Sequence, residues 1–151
     1  MIVLGHHNND QIETFLMRLI RGSSPKGLTS MSILEGIYFR PLLDITKVQI
    51  EEYSKNNNIS WVQDETNSDE SFTRNNIRKN LVPYFFKLNP NFDQTLKNNL
   101  RHISEQNTFI DSHIKSLKKE FLLHTGNNDF ILSLKKFNKL SICLLYTSDA
   151  A

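Results

Sequence analysis

Cysteine is almost missing from this sequence: Cys143 is the only one in 151 residues. That excludes an internal disulfide framework and a multi-cysteine zinc site. Long apolar runs are missing too. The longest fall far below the roughly 20 residues a membrane span needs, and nothing resembles a signal peptide. A cytoplasmic protein with no membrane partner is therefore the default expectation. Charge of one sign is scarce, since the net is only +2. It is unevenly spread, however. Residues 1–85 carry 9 Lys+Arg against 10 Asp+Glu, a net of −1, and residues 86–151 carry 9 against 6, a net of +3. The basic second half permits a polyanionic partner such as RNA without demanding one. Internal repeats are absent, and 38% hydrophobic content suits one soluble domain or slightly more.

Arginine is scarcer than lysine, 6 to 12, yet five of the six stand at Arg18, Arg21, Arg40, Arg74 and Arg78. The planar guanidinium fork matches carboxylate and phosphate in a way that lysine cannot.

The sequence starts on an apolar run, Met1 to Gly5, that predicts a short buried strand. A strand leading through Gly-His-His into a helix is how an α/β protein presents a site at the carboxyl edge of its sheet. From Asn9 to Arg21, Ile12, Phe15, Leu16, Leu19 and Ile20 follow helical spacing. The opposite side of the wheel carries Asp10, Glu13, Thr14, Met17, Arg18 and Arg21, and Gly22 ends the helix. Residues 22–31 form a loop with room for one helical turn. Residues 36–43 predict a strand ended by Pro41, and Thr46 caps a helix over 47–56 with a partial apolar face of Val48, Ile50 and Tyr53. Residues 59–62 are extended, and residues 63–80 become helical from about Ser71. Pro83 and Asn89-Pro90 bracket a short helical segment. The longest helix covers about 92–122, its apolar stripe running from Phe92 through Leu96, Leu100 and Ile103 to Phe121. A turn at 124–129, a strand at 130–134 and a basic helix-like segment at 135–140 follow. The final residues, ending "CLLYTSDAA", resemble translated adapter DNA, so 141–151 are expected to be a non-native tail.

The stretch "GHHNNDQIETFLMRLIRG" (5–22) gathers the chemistry. Asp10-x-x-Glu13 has the spacing of a capping box, and acids in a first turn suit the helix dipole. His6, His7, Asp10 and Glu13 also suit a divalent cation, although the remaining histidines, 102, 113 and 124, stand isolated. A third reading is a pocket for a cationic or metal-bound nucleotide substrate, with arginines answering phosphate or carboxylate.

The wider pattern resembles the bacterial tRNA(Ile)-lysidine synthetase family. "HHNNDQIETFLMRLIRG", "KGLTSM", "RPLL" and "WVQDETNSDESFTRNNIR" stand in that family's order over about residues 1–91, and the helical remainder to about 140 is compatible. An HHxxD match alone would indicate only the wider superfamily of adenylating PP-loop ATP pyrophosphatases.

The resemblance implies a fold: the C-terminal part of a Rossmann-like PP-loop ATPase domain over 1–88, then a mainly helical tRNA-contacting domain over 89–140. It implies an activity, the ATP-dependent ligation of L-lysine to C2 of the wobble cytidine in tRNA(Ile) with a CAU anticodon. That activity proceeds through an adenylated base, uses ATP with Mg²⁺, and is compatible with a homodimer. It implies roles: Asp10 and Glu13 hold lysine. Arg78, then Arg74, meets the lysine carboxylate or a phosphate. His6 lies near ATP and the activated base. Arg18, Arg21 and Lys26 line the tRNA or phosphate side, and Lys115, Lys118 and Lys119 contact tRNA phosphates. No resident metal site is expected.

Two departures stand out. The family's SGGxDS phosphate loop is absent, and Ser24 stands where the family has Gly. The expectation is a fragment that alone neither binds ATP well nor modifies tRNA. Three alternatives are a sulfur-installing relative, a noncatalytic RNA-binding module and a metal hydrolase. The first conflicts with a sole cysteine beside the suspect tail.

Overall fold

The computed structural model describes residues 1–29, 31–62, 73–124 and 130–132. The expectations for 63–72, 125–129 and 133–151, the basic segment and the tail among them, lie outside the described residues. The chain divides into two compact units, Met1–Ile103 and Ser104–Ala151.

The first unit is a small α/β arrangement. Strands β1 (Ile2–Val3), β2 (Leu34–Glu35) and β3 (Tyr38–Phe39) form one sheet in the order β1-β3-β2. β1 pairs parallel to β3, with Ile2 opposite Tyr38, and β2 pairs antiparallel to β3, with Leu34 opposite Phe39. The β2–β3 turn has two residues, and its first, Gly36, takes a positive φ of 58°, as hairpin turns require. The sequence predicts β1 to be buried, but Ile2 and Val3 are 47% and 60% exposed. An apolar run marks a strand equally well whether or not its faces are covered. Here β1 lies at the edge of a sheet whose strands are two residues long.

Helix α1 (Asn8–Arg21) follows β1, and Gly22 closes it with a φ of 77°. The loop that follows contains a four-residue helix α2 (Pro25–Leu28). Two polar side chains of α1 fix this loop. The Gln11 amide donates to the Met31 carbonyl and accepts from the Met31 N–H, at 2.8 and 2.9 Å. Arg18 Nη1 donates to the carbonyls of Gly27 and Thr29, at 2.9 and 2.6 Å.

Helix α3 (Lys47–Asn56) starts where Thr46 predicts, with a capping box between Thr46 and Gln49. Its apolar residues are less covered than the pattern implies, since Val48 and Tyr53 are exposed. Residues 59–62 carry no strand.

Helix α4 (Thr73–Asn76), a π-helical turn (Ile77–Leu81) and α5 (Val82–Leu88) succeed one another without a break. Pro83 was expected to bound a helix. It sits instead inside this continuous run, as the second residue of α5 directly after the π-helical turn. Helix α6 (Phe92–Phe121) follows.

The core is where three helices meet: Ile12 and Leu16 of α1, Ile77 of the π-turn, and Leu96 and Leu100 of α6. Phe92 stacks on Phe85 at 4.7 Å between ring centres and meets Phe86 edge-on at 5.8 Å. The second unit holds the remainder of α6 and an antiparallel pair, β4 (Leu122–His124) with β5 (Phe130–Leu132). The sequence places His124 in a turn; the structure extends the strand to include it.

Candidate functional site

The helical wheel puts Asp10 and Glu13 opposite the apolar stripe of α1, yet both are buried, at 8% and 2% exposed. Leu19 and Ile20 of the stripe are exposed instead. The covered face of α1 is rotated toward Glu13 because α4 and the π-turn lie over it and supply cations.

Glu13 is the centre of the arrangement. Its Oε1 accepts from Arg78 Nε at 2.6 Å. Its Oε2 accepts from Arg74 Nε at 2.6 Å and Arg78 Nη2 at 3.0 Å. Arg74 Nη2 also donates to Asp10 Oδ1 at 2.7 Å, so one guanidinium bridges both acids. The geometry follows from helical spacing. Asp10 and Glu13 are three apart on α1, and Arg74 and Arg78 are four apart on the facing helix, so each pair shares a face. Two carboxylates and two guanidiniums leave no net charge, which is how buried ions are tolerated. The Glu13 hydrogen bond raises the pKa of Arg78, outweighing the cost of burial.

Asp10 has a second task. Its Oδ2 accepts from the His7 N–H at 2.9 Å. The cap residue is therefore His7, with Asp10 at the third helical position. This corrects the capping box expected at Asp10 and Glu13: the helix starts three residues earlier. The Asn8 N–H donates to the Ile45 carbonyl and Asn9 Oδ1 accepts from the Lys47 N–H, which anchors that start.

The Nδ1 atoms of His6 and His7 are buried without a hydrogen bond among the described residues. His7 Nδ1 lies 3.4 Å from Asp10 Oδ2. Burial lowers the His7 pKa below its ordinary 6.5, although the Asp10 and Glu13 carboxylates pull the other way. The linkage sign follows. Below pH 6.5 the unfolded chain takes up this proton before the folded chain does, so acidification favours unfolding. His7 therefore contributes full stability above pH 6.5 and progressively less as pH falls toward its folded value. Urea unfolding between pH 7.5 and 5 is expected to show this slope. His7→Asn, which supplies a side chain suited to the N-cap and takes up no proton, is expected to flatten it; an unchanged slope would contradict the assignment.

The structure thus brings together Asp10, Glu13, Arg74, Arg78 and His7, and it leaves others apart. Arg40 is buried, with Nη1 on the Ser32 carbonyl at 3.0 Å and on Glu35 at 2.9 Å. Arg18 holds the α2 loop, as described. Arg21, Lys26 and Lys115 are exposed, and the side chains of Lys118 and Lys119 lie outside the described residues. Arg74 is the residue that sequence reasoning underrated. Its bridging role depends on the distance between two helices, and spacing within one helix does not report it. No group of three His, Cys, Asp or Glu side chains suited to a metal occurs among the described residues. No helix among them is long and apolar enough to cross a membrane.

Small α/β sheet, histidine-led helix and acid–arginine cluster fall within residues 1–85, the span that matches the family described as a PP-loop domain. The chain belongs to that family. Within it, the chain is similar to tRNA(Ile)-lysidine synthases. It is 39% identical to that of Treponema denticola over 122 residues, covering 81% of this chain and 26% of the relative. It is 40% identical to that of Francisella tularensis subsp. novicida over 114 residues, 73% and 29%. It is 36% identical to that of Histophilus somni over 146 residues, 94% and 34%. The chain spans about a quarter to a third of the length of these curated relatives.

Proposed function

We propose that this chain is the lysine-handling part of a tRNA(Ile)-lysidine synthase. Its catalytic-domain portion covers 1–88 and its tRNA-contacting helical portion 89–140. The whole enzyme would join L-lysine to C2 of the wobble cytidine of tRNA(Ile), at the expense of ATP and through an adenylated base. In that reaction lysine nitrogen bonds to C2, the C2–oxygen bond breaks, and AMP leaves with the oxygen.

The observation that carries the reading is the cluster of Asp10, Glu13, Arg74 and Arg78. Acids stand on one helix and guanidiniums on the facing one, so the site presents partners for both ends of an amino acid. A lysine ammonium can replace a guanidinium N–H on Asp10 or Glu13. The displaced guanidinium of Arg78 or Arg74 then meets the lysine carboxylate. Such an exchange trades one set of ion pairs for another and leaves no buried charge unpaired. Neutral His7 borders this space and is able to accept a proton from the attacking amine, and His6, its neighbour in sequence, is assigned to the side of the activated base. Arg21, Lys26 and Lys115 are suited to tRNA phosphates.

ATP use is implied by the family. The residues here do not fit the triphosphate or its Mg²⁺. SGGxDS is not in the sequence, the span from β1 to α1 has no glycine of positive φ, and the two acids are committed to arginines. No step on the phosphates is assigned to this chain.

The reading is tested by exchanging residues 1–117 for the matching segment of the Treponema denticola enzyme. Transfer of labelled lysine to tRNA(Ile) is the expected result. A folded chimera that adenylates tRNA(Ile), releasing pyrophosphate, but transfers no lysine would overturn it.

A further inference from the structure

A second concavity lies on the other flank of the arginine-bearing helix. It has a volume of about 500 Å³ and opens between the end of α1 and the run from α4 through α5. Its apolar lining comes from Ile20, Ile77 and Leu81, and its polar lining from Thr73, Asn76, Asn80 and Tyr84. Asn76, Asn80 and Tyr84 follow one another at four-residue steps along the helix, so they form one rail. None of the three side chains makes a hydrogen bond among the described residues, and the Tyr84 ring is 57% exposed. The groove follows the π-helical turn Ile77–Leu81; such turns cost stability and are frequent where a helix serves a ligand.

The lining chemistry is selective. With no charged side chain in it, the groove offers no counter-charge to a phosphate, an ammonium or a carboxylate. It offers two carboxamides, which donate and accept in one plane, beside an aromatic face and an apolar floor. That set matches a neutral planar ring with donors and acceptors on its edge. Carboxamides pair with base edges, and aromatic rings stack on unpaired bases. The exposed Arg21 directly follows Ile20 in sequence, and a cation at that border suits the flanking phosphate.

We infer that the groove of Asn76, Asn80 and Tyr84 binds an unstacked nucleobase of single-stranded RNA. The inference rests on the RNA-substrate part of the proposed function and is independent of its lysine chemistry. Tyr84 stacks on the base, Asn76 and Asn80 hold its edge, and the acid–arginine cluster takes no part.

The test uses the 151-residue chain and two labelled probes: a seven-nucleotide single-stranded RNA, and an abasic ribose-phosphate strand of equal length and charge. The RNA is expected to bind more tightly than the abasic strand. Tyr84→Ala, and separately Asn76→Ala with Asn80→Ala, are expected to weaken RNA binding about tenfold, the loss of one stacked base, and to leave abasic binding unchanged. These positions are exposed or nearly so and alanine favours helix, so the fold persists; circular dichroism verifies it. Tyr84→Phe keeps the stacking and most of the affinity. Equal binding of the two strands, equal losses on both, or no binding of either overturns the inference. If instead the base preference holds while the chimera transfers no lysine, only the lysine reading fails.

Discussion

Glu13→Ala is expected to lower the unfolding free energy by about 3 kcal/mol, the low end of what breaking a buried ion pair costs. Glu13 accepts three hydrogen bonds from Arg74 and Arg78. Removing it leaves two guanidiniums facing each other across a buried gap, with Asp10 alone to answer them. The Arg74 and Arg78 side chains are 37% and 33% exposed, so water relieves part of the penalty and holds the loss near that low end. Glu13→Gln keeps the shape and removes the charge, so it separates the two contributions. Most of the loss is expected to remain, because an amide nitrogen would point at a guanidinium. Urea unfolding measures both variants, and a loss below about 1 kcal/mol for Glu13→Ala would show that the cluster behaves as a surface pair.

Leu16→Ala is expected to cost a similar amount, about 3 kcal/mol, through lost burial and the cavity left behind. Leu16 is 2% exposed and belongs to the core with Ile12, Ile77, Leu96 and Leu100. Flexible collapse is limited, because Phe85, Phe86 and Phe92 are already locked in ring contacts around that core. A melting temperature lower by about 10–20 °C is the corresponding reading for a unit of this size. Leu19→Ala, one turn on and exposed, is the control. It is expected to shift little, although the periodicity of α1 ranks Leu19 with Leu16. Equal effects of the two would contradict the rotated helix face.

That pair of residues shows how much was legible in the sequence. Local signals located the helices well. Thr46 with Gln49 marks the start of α3, Gly22 marks the end of α1, and the stripe from Phe92 to Phe121 marks α6. These features depend on neighbours a few residues away. What escaped depends on distant ones. The burial of Glu13 is set by Arg74, 61 residues on, and it turns α1 away from the face its apolar residues suggest. The β2–β3 hairpin escaped because two-residue strands have no periodicity to read. The π-turn escaped because Pro83 looks like a boundary and because no residue pattern announces one extra residue per turn.

The candidate site was half legible in the same sense. Its members were visible as residue types: two acids at helical spacing, two arginines at helical spacing, two histidines at a strand end. Their pairing was not. The acids are not open ligands awaiting a cation. They are held by the chain's own arginines, and any cationic ligand would have to compete for them.

The most direct measurement of this claim is the lysine dependence of lysine transfer in the chimera carrying residues 1–117, with Asp10 intact and with Asp10→Asn. Asp10 holds one guanidinium contact and the helix cap, and asparagine keeps the cap. A lysine KM raised about tenfold or more is expected, the loss of one charge-assisted hydrogen bond, with the KM for ATP unchanged. An unaltered lysine KM, or an equal rise for ATP and lysine, would contradict it.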